Sequence, residues 1–305
     1  MTYILISNTT NQKINLDNLN FVSNEIQKLF NVKIQYNELS LNKAYEWDLP
    51  TNDIPNKILS FITNLKAQNK FDANIIKSKN KRKKKLLLAD MDSTIIQEES
   101  LDELAKMIGK DKEIKQITKE AMEGKIDFKK ALIERVSMLQ GVSFEILERL
   151  QENIKINDGA KELIKTMKHN GAITVLVSGG FTFLTDYLKK ILDFDFTHAN
   201  SLQYLVNNQN KKILNGRVNE PILDNQAKLN YLNDYLNKNN LSPEDSICVG
   251  DGANDIDMII KSGMGVAFNG KKALNQIADL HFKHTNLLGL LYAQGYSDKE
   301  INSTK

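Results

Sequence analysis

The stretch that most constrains the fold of this chain is Leu86-Leu87-Leu88-Ala89-Asp90-Met91-Asp92-Ser93-Thr94. Its apolar first half is typical of a central strand in a parallel sheet, buried on both faces. Asp90 and Asp92 follow two residues apart, and side chains at that spacing point the same way in an extended segment. Because open α/β sheets bind ligands at the carboxyl ends of their strands, we expect both carboxylates to face one site. Two neighbouring carboxylates repel each other unless a cation lies between them, and Mg²⁺ prefers such oxygen ligands.

Length, charge and cysteine content exclude several classes of protein. With 305 residues, 41% of them apolar, the chain can build one large domain or two modest ones. Its 41 basic residues nearly balance 38 acidic ones, so we expect no nucleic-acid partner. The single cysteine, Cys248, excludes an internal disulfide framework and fits a reducing compartment. No apolar run is long enough for a signal peptide or a membrane span, so we expect a cytoplasmic protein without a membrane partner.

The chain divides into four predicted segments. Residues 1–76 alternate between strand and helix patterns and predict a small α/β domain, either regulatory, dimerising or merely stabilising. Residues 77–85 form a basic linker, which we interpret as a solvated boundary because no aromatic residues interleave with the charges. Residues 86–290 are the predicted core, and residues 291–305 a carboxyl-terminal tail.

The core is predicted to be a Rossmann-like, doubly wound α/β fold. Between residues 95 and 156, apolar positions recur every three to four residues, which indicates helices. We therefore expect a helical cap at about residues 98–156, inserted directly after the first core strand, where it can exclude water. From residue 172 onward, strand and helix patterns alternate, which favours a parallel sheet.

Polar groups recur where the predicted strands end. The second core strand ends in Ser178-Gly179-Gly180, which offers a hydroxyl and backbone N–H groups to an anion. Lys228 lies on the helix after a predicted hairpin, and a later strand ends in Asp251, with Asn254 and Asp255 close behind. Together with the first two aspartates, these groups meet the requirements of Mg²⁺-assisted phosphoryl transfer.

Four ordered motifs resemble the haloacid dehalogenase superfamily of phosphatases, most closely its phosphoserine phosphatase family. They are Asp90-Met-Asp92-Ser-Thr, Ser178-Gly-Gly, Lys228 and Gly250-Asp251-Gly-Ala-Asn254-Asp255. The resemblance covers about residues 86–285, including the cap, and extends far more loosely to residues 1–76. The run Phe268-Asn269-Gly270-Lys271-Lys272 departs from the Ala-Lys-Pro sequence usual in the family, and we expect it at the margin of the site.

The resemblance implies a role for each of these groups. Asp90 is the nucleophile that forms an aspartyl-phosphate, and Asp92 is the general acid and base. Mg²⁺ is bound by Asp90, the backbone carbonyl of Asp92 and Asp251, with Asp255 and Asn254 in support. The substrate phosphoryl group is bound by Ser178, Gly179, Gly180 and Lys228.

The resemblance also implies four substrate-binding residues in the cap. Glu99 contacts an amine, Arg135 binds a carboxylate, and Met122 and Phe128 match other cap residues of the family. Alternatives stay open for each: Glu99 as a first-turn acid of a helix, Met122 as a core residue, and the other two as ordinary cap residues.

The implied activity is hydrolysis of O-phospho-L-serine, the last step of serine biosynthesis, by an enzyme that is either monomeric or a homodimer. One alternative is the same chemistry on phosphohomoserine, phosphothreonine or a sugar phosphate. Another is a non-catalytic, amino-acid-sensing or nucleic-acid-associated protein that functions through its amino-terminal domain and linker.

Overall fold

The computed structural model describes residues 1–10, 12–68, 70–77, 82–122 and 125–304. One antiparallel sheet, one parallel sheet and a two-stranded hairpin organise these residues. Residues 78–81 of the predicted linker lie outside the described residues, and so does the side chain of Met122. Within the described ranges, every helix is too short or too polar to span a lipid bilayer.

The amino-terminal residues form a four-stranded antiparallel sheet and two helices. These elements are β1 (Thr2–Ser7), α1 (Leu16–Phe30), β2 (Tyr36–Ser40), β3 (Ala44–Leu49), α2 (Asn56–Gln68) and β4 (Asp72–Lys77). The order of the strands is β2-β3-β1-β4. Successive residues of a strand face opposite sides, and accordingly Ile4 and Ile6 pack with α1 and α2, whereas Leu5 packs against the larger core. The sheet is therefore buried on both faces.

The rest of the chain carries the parallel sheet, the cap and the hairpin. Its strands are β5 (Leu86–Ala89), β6 (Ile173–Phe181), β7 (Phe196–Asn200), β8 (Leu202–Val206), β9 (Lys212–Val218), β10 (Ser246–Gly250), β11 (Gly265–Phe268) and β12 (Leu280–Phe282). Its helices are α3 (Ser100–Met107), α4 (Asp111–Met122), α5 (Phe128–Ser137), α6 (Phe144–Asn153), α7 (Ala160–His169), α8 (Thr182–Leu192), α9 (Asn225–Lys238), α10 (Ile256–Lys261), α11 (Lys272–Asn275), α12 (Leu288–Ala293) and α13 (Asp298–Asn302).

The parallel sheet has the strand order β12-β11-β10-β5-β6-β7. The central strand β5 lies between β10 and β6 and is parallel to both. Its side chains alternate between two cores: Leu87 and Ala89 pack with α7, α8 and α12, whereas Leu86 and Leu88 pack with α9 and α10. Helices thus cover both faces of the sheet, and the predicted doubly wound α/β fold is confirmed.

The cap consists of helices α3 to α6 together with the hairpin β8–β9. Leu214 of β9 is buried in the same apolar cluster as Leu104 and Leu147 of the cap helices. The backbone N–H of Leu214 also donates to the carbonyl of Val142 over 2.8 Å. The hairpin itself is predictable from local sequence, but its place in the cap depends on partners far away in the chain.

The carboxyl-terminal residues belong to the folded core. Residues 291–304 include the end of α12 and the whole of α13, and Tyr292, Tyr296 and Ile301 are buried. The Tyr292 hydroxyl donates to Asp298 over 3.0 Å, and the hydroxyl of Ser40 in the amino-terminal sheet donates to the same carboxylate over 2.6 Å. Burial of these large apolar side chains holds this segment, predicted as a carboxyl-terminal tail, against the protein.

Candidate active site

A buried lysine lies between two buried carboxylates at the carboxyl end of β5. Nζ of Lys228 on α9 is 2.6 Å from Oδ1 of Asp90 and 2.7 Å from Oδ1 of Asp255. Although burial alone lowers the pKa of Lys228, the two carboxylates raise it well above its usual value, so the amine is charged. Burial raises the pKa of Asp90, and the charge of Asp255 raises it further. The ammonium group is therefore what keeps the two acids together.

A third acid completes a potential cation site. Asp90, Asp251 and Asp255 each offer one carboxylate oxygen, and the three oxygens lie within 4.8 Å of one another. Parallel pairing of β5 and β10 brings Asp90 and Asp251 side by side at the ends of adjacent strands. A hard divalent cation suits such a set of oxygens. Asp255, predicted only as a support, thus supplies a carboxylate to this trio, and the carboxylate of Asp92 does not.

Gly250 leaves the space that Asp255 occupies. A Cβ atom at Gly250 would lie 2.3 Å from Oδ2 of Asp255, a separation that real structures do not show. The N–H of Gly252 donates to the same oxygen over 3.1 Å. Gly250 therefore leaves room for the carboxylate of Asp255, and the N–H of Gly252 fixes its position.

Asp92 lines one cavity together with Asp90 and Asp251 of this trio. Its Oδ1 accepts a hydrogen bond of 2.8 Å from the N–H of Ser100, at the start of α3. The hydroxyl of Ser178 is 3.5 Å from its Oδ2. Burial, and after it the negative charge of Glu99, raises the pKa of Asp92 to about 7. A carboxyl group with this pKa exchanges protons readily near neutral pH, as a general acid and base must.

The carboxyl-terminal end of β6 is shaped by its glycines. A Cβ atom at Gly180 would lie 2.8 Å from the Met91 side chain and 2.9 Å from Oδ2 of Asp92. The N–H of Gly180 donates to the Ser178 hydroxyl over 2.8 Å, and the hydroxyl itself donates to Oδ2 of Asp92 over a long 3.5 Å. The carbonyl of Gly179 accepts a hydrogen bond of 2.8 Å from Asn200. Gly179 and Gly180 thus present close backbone to the cavity between cap and core, and the Ser178 hydroxyl is buried beside Asp92.

A lysine of the β11–α11 loop also reaches the site. Nζ of Lys271 is 3.0 Å from Oδ2 of Asp251 and 3.5 Å from Oε1 of Glu99. Burial raises the pKa of Asp251, and the charge of Lys271 opposes that rise. Glu99 also accepts a hydrogen bond of 2.9 Å from the hydroxyl of Ser93. Lys271 therefore links a cap-side acid to the cation site.

A cavity of about 710 Å³ lies between the cap and the core. It is lined by the predicted site residues Asp90, Asp92, Glu99, Phe128, Arg135, Gly179, Gly180, Asp251 and Asn254, among others. The guanidinium group of Arg135 makes weak contacts, 3.2 Å to the carbonyl of Ala131 and 3.4 Å to the hydroxyl of Thr118. It forms no salt bridge with any residue that the structure describes, so its charge is available to an anionic ligand.

Proteins of known family are similar to this chain in sequence and in fold. The sequence profile of the haloacid dehalogenase-like hydrolases matches residues 87–259. The chain belongs to the haloacid dehalogenase-like hydrolase family. A phosphoserine phosphatase of Archaeoglobus fulgidus is 43% identical to it over 209 residues, which are 68% of this chain and 59% of that relative. The match thus spans about three fifths of the relative's length.

Solved structures of haloacid dehalogenase-like hydrolases agree with the fold. A hydrolase of this family from Salmonella enterica serovar Typhi superposes with a TM-score of 0.83 at 27% identity, covering 96% of this chain and 98% of that one. A phosphoserine phosphatase described as a phospho-aspartyl intermediate analogue is 39% identical, with a TM-score of 0.62, and covers 69% of this chain and 98% of that one. The family resemblance that the motifs indicated is confirmed.

Lys271 is the site residue of this haloacid dehalogenase-like hydrolase that sequence reasoning missed. The signal was present, because Lys271 lies in the run that takes the place of the family's Ala-Lys-Pro sequence. We expected that run at the margin of the site, yet its lysine contacts Asp251 directly. Met122, predicted to bind substrate, ends α4, and its side chain lies outside the described residues.

Proposed function

We propose that the protein is a phosphoserine phosphatase, which hydrolyses O-phospho-L-serine to L-serine and phosphate. One observation carries this proposal: Lys228 holds Asp90 within an acidic trio, while Asp92, with a pKa of about 7, lines the same cavity. A nucleophile and a separate proton donor are what a double displacement at phosphorus requires. The names of the relatives support the same activity.

The acidic trio fits Mg²⁺. Asp90, Asp251 and Asp255 would hold the ion, since three carboxylate oxygens within 4.8 Å suit a hard divalent cation. The backbone carbonyl of Asp92 and the side chain of Asn254 complete the predicted surroundings. When bound, Mg²⁺ acts as a Lewis acid toward a phosphoryl oxygen and neutralises charge that develops there.

In the first step, a carboxylate oxygen of Asp90 attacks phosphorus, and the bond between phosphorus and the serine oxygen breaks. Asp92 in its protonated form donates its proton to that oxygen, so L-serine leaves as a neutral alcohol. A pKa of about 7 keeps a large fraction of Asp92 protonated at neutral pH. The product of this step is an aspartyl-phosphate on Asp90.

In the second step, water attacks the phosphorus of the aspartyl-phosphate. Asp92, now a carboxylate, accepts a proton from that water, and the bond between Asp90 and phosphorus breaks. Lys228, the hydroxyl of Ser178 and the N–H of Gly179 are the donors that stabilise the phosphoryl oxygens. Phosphate leaves, and both aspartates return to their starting states.

Recognition of the amino-acid part of the substrate is assigned to the cap. Arg135 binds the substrate carboxylate, because its guanidinium group lines the cavity without a salt bridge to any described side chain. Glu99 binds the substrate ammonium group, because its carboxylate carries the opposite charge. Phe128 lies over Gly179, 3.7 Å from the position of a Cβ atom there, and would wall off the site from water. Met122 stays a predicted substrate-binding residue.

The remaining predictions concern the whole protein. The homodimer, the regulatory or dimerising role of residues 1–76 and the cytoplasmic compartment stay predictions. Sedimentation equilibrium of the full-length protein tests the homodimer.

A phosphate-release panel tests the proposed function. O-phosphoserine, phosphothreonine, phosphohomoserine and a sugar phosphate are compared with and without Mg²⁺. We expect the highest kcat/KM for O-phosphoserine, loss of activity after chelation, and an acid-labile phospho-adduct that is absent in Asp90→Asn. A higher kcat/KM for another ester would support the alternative substrate class. A folded protein that hydrolyses none of them with Mg²⁺ present would contradict the proposal.

A further inference from the structure

A second cavity, of about 490 Å³, lies between the amino-terminal domain and the parallel sheet. We call it the interdomain cleft, and its polar lining includes Lys66, Asp72, Asn275, His281, Lys283 and His284. We propose that the interdomain cleft binds a small molecule that carries an oxyanion group, a carboxylate or a phosphate. We further propose that its occupancy is transmitted to the active site through Gly270 and Lys271.

The charge in the interdomain cleft favours an anion. Among the residues that the structure describes, Lys66 on α2 forms no salt bridge, and its Nζ lies 3.4 Å from Nδ1 of His281. Burial lowers the pKa of Lys66, which reflects the cost of keeping an ammonium group away from water. The charge of Asp72 acts on Lys66 without a salt bridge, and an oxyanion in contact with Lys66 would supply a direct counter-charge. Lys283 and His284 add basic groups at the same cavity.

Asp72 is the acid that lines the interdomain cleft, but backbone donors occupy its carboxylate. Its two oxygens accept hydrogen bonds of 3.0 and 3.1 Å from the N–H of Lys283. One of them also accepts a hydrogen bond of 2.9 Å from the N–H of His284. Because these bonds direct the carboxylate to the backbone of the segment after β12, Asp72 does not form a salt bridge with Lys66.

The contact between Lys66 and His281 fixes the state of the imidazole ring. Nε2 of His281 lies 2.9 Å from the carbonyl oxygen of Asn275, and a carbonyl can only accept, so Nε2 carries a hydrogen. Burial, and then the charge of Lys66, lowers the pKa of His281, which favours the neutral ring. Nδ1 therefore accepts from Lys66. A ligand that binds Lys66 would remove the contact between Lys66 and His281. The position of the His281 ring, which donates to the carbonyl of Asn275, would then change.

A chain of hydrogen bonds leads from His281 to the active site. The side-chain amide of Asn275 donates to the carbonyl of Gly270, and the N–H of Asn275 donates to the carbonyl of Lys271 over 3.0 Å. The N–H of Lys271 donates to the carbonyl of Asp251 over 2.7 Å, and its Nζ lies 3.0 Å from the Asp251 carboxylate. Both cavities therefore share one loop, so a ligand in one can change the geometry of the other.

Binding is tested with sulfate and malonate as probes, at constant ionic strength, in the full-length protein. The ¹H–¹⁵N imidazole signals of His281, assigned with His281→Asn, report on the interdomain cleft alone. We expect a saturable shift in the unmodified protein and in Lys57→Gln, which removes an exposed lysine of α2. The affinity should fall about tenfold or more in Lys66→Gln, which loses a charge-assisted contact, and recover in Lys66→Arg. The proposal would be overturned if the unmodified protein and Lys66→Gln bound the probes with equal affinity, or if the His281 signals showed no saturable shift.

Transmission rests on the proposed function and is tested separately, with kcat for O-phosphoserine. Sulfate competing at the active site raises KM in every variant. Occupancy of the interdomain cleft should change kcat by about fivefold in the unmodified protein and in Lys57→Gln, but not in Lys66→Gln. A constant kcat, with the His281 titration intact, would refute transmission alone. Absence of any hydrolysis would refute the proposed function, and the NMR titration would still decide binding.

Discussion

Nζ of Lys228 donates to Oδ1 of Asp90 across 2.6 Å, at a position where Lys228 is only 1% exposed. The same nitrogen lies 2.7 Å from Asp255, so one cation compensates two buried acids that come from different strand ends. Buried charges of like sign this close are tolerated only when a counter-charge accompanies them. Lys228 thus stabilises the folded site and also holds the Asp90 carboxylate in place for the reaction.

Substitution of Lys228 by methionine should therefore affect both stability and catalysis. Without metal, we expect the free energy of unfolding to fall by about 3–5 kcal/mol, because two buried carboxylates lose their partner. We expect kcat to fall about 100-fold or more, because a donor to the phosphoryl oxygens is lost. Urea denaturation with a chelator and phosphate release with Mg²⁺ measure the two effects.

Lys238→Met is the control for this prediction, since Lys238 is an exposed lysine of the same helix. Its free energy of unfolding should change by no more than about 0.5 kcal/mol. Mg²⁺ should also restore part of the stability that Lys228→Met loses, because it supplies a new counter-charge. Equal stability of Lys228→Met and the unmodified protein would show that the two acids do not need the ammonium group.

Gly250→Ala should disturb the acidic trio through a steric effect. The new Cβ atom would lie 2.3 Å from Oδ2 of Asp255, so that carboxylate must move away from Lys228. We expect the free energy of unfolding to fall by about 1–3 kcal/mol. The Mg²⁺ concentration for half-maximal activity should rise about 10-fold or more. Gly179→Ala is the comparison for stability, because its Cβ atom would meet Phe128 at an ordinary 3.7 Å. Unchanged Mg²⁺ dependence of Gly250→Ala would contradict the role of Asp255.

Local sequence patterns predict the parallel sheet and its catalytic edge well. The apolar run before Asp90 and the strand patterns before Ser178 and Asp251 identify strands, and parallel pairing then brings their ends together. The contacts of Lys271 and the place of Leu214 in the cap are not predictable in this way. Both depend on packing between segments that are distant in sequence, and a local periodicity carries no information about such packing.

The position of Asp255 shows the same limit within a single loop. Sequence places Asp255 near Asp251, but its carboxylate joins the trio only because residues Ala253–Asp255 form a tight helical turn. That turn also requires the space left by Gly250. A pattern of residue types suggests which groups are near, whereas the orientation of each carboxylate depends on backbone geometry that the pattern does not specify.

Arg135→Ala should reduce recognition of a substrate carboxylate. We expect kcat/KM for O-phosphoserine to fall about 10- to 100-fold, as for the loss of a hydrogen-bonded charge pair. Phosphoethanolamine has the same amine and phosphate groups but no carboxylate, so its kcat/KM should change little. The measurement is kcat/KM for both esters, with the unmodified protein and with Arg135→Ala. An equal loss for both esters would instead indicate that Arg135 supports the cap in general.

The protonation of Asp92 should be visible in the pH dependence of the reaction. Burial raises its pKa to about 7, so the protonated form predominates below that pH and is lost above it. Since the first step needs the proton, kcat/KM for O-phosphoserine at saturating Mg²⁺ should fall as pH rises through about 7, approaching tenfold per pH unit. An aryl phosphate with a nitrophenolate leaving group needs no proton, so its kcat/KM should stay nearly constant over the same range. If both esters lose activity in parallel, the titrating group is not the acid for the departing serine, and Asp92 must be assigned another role.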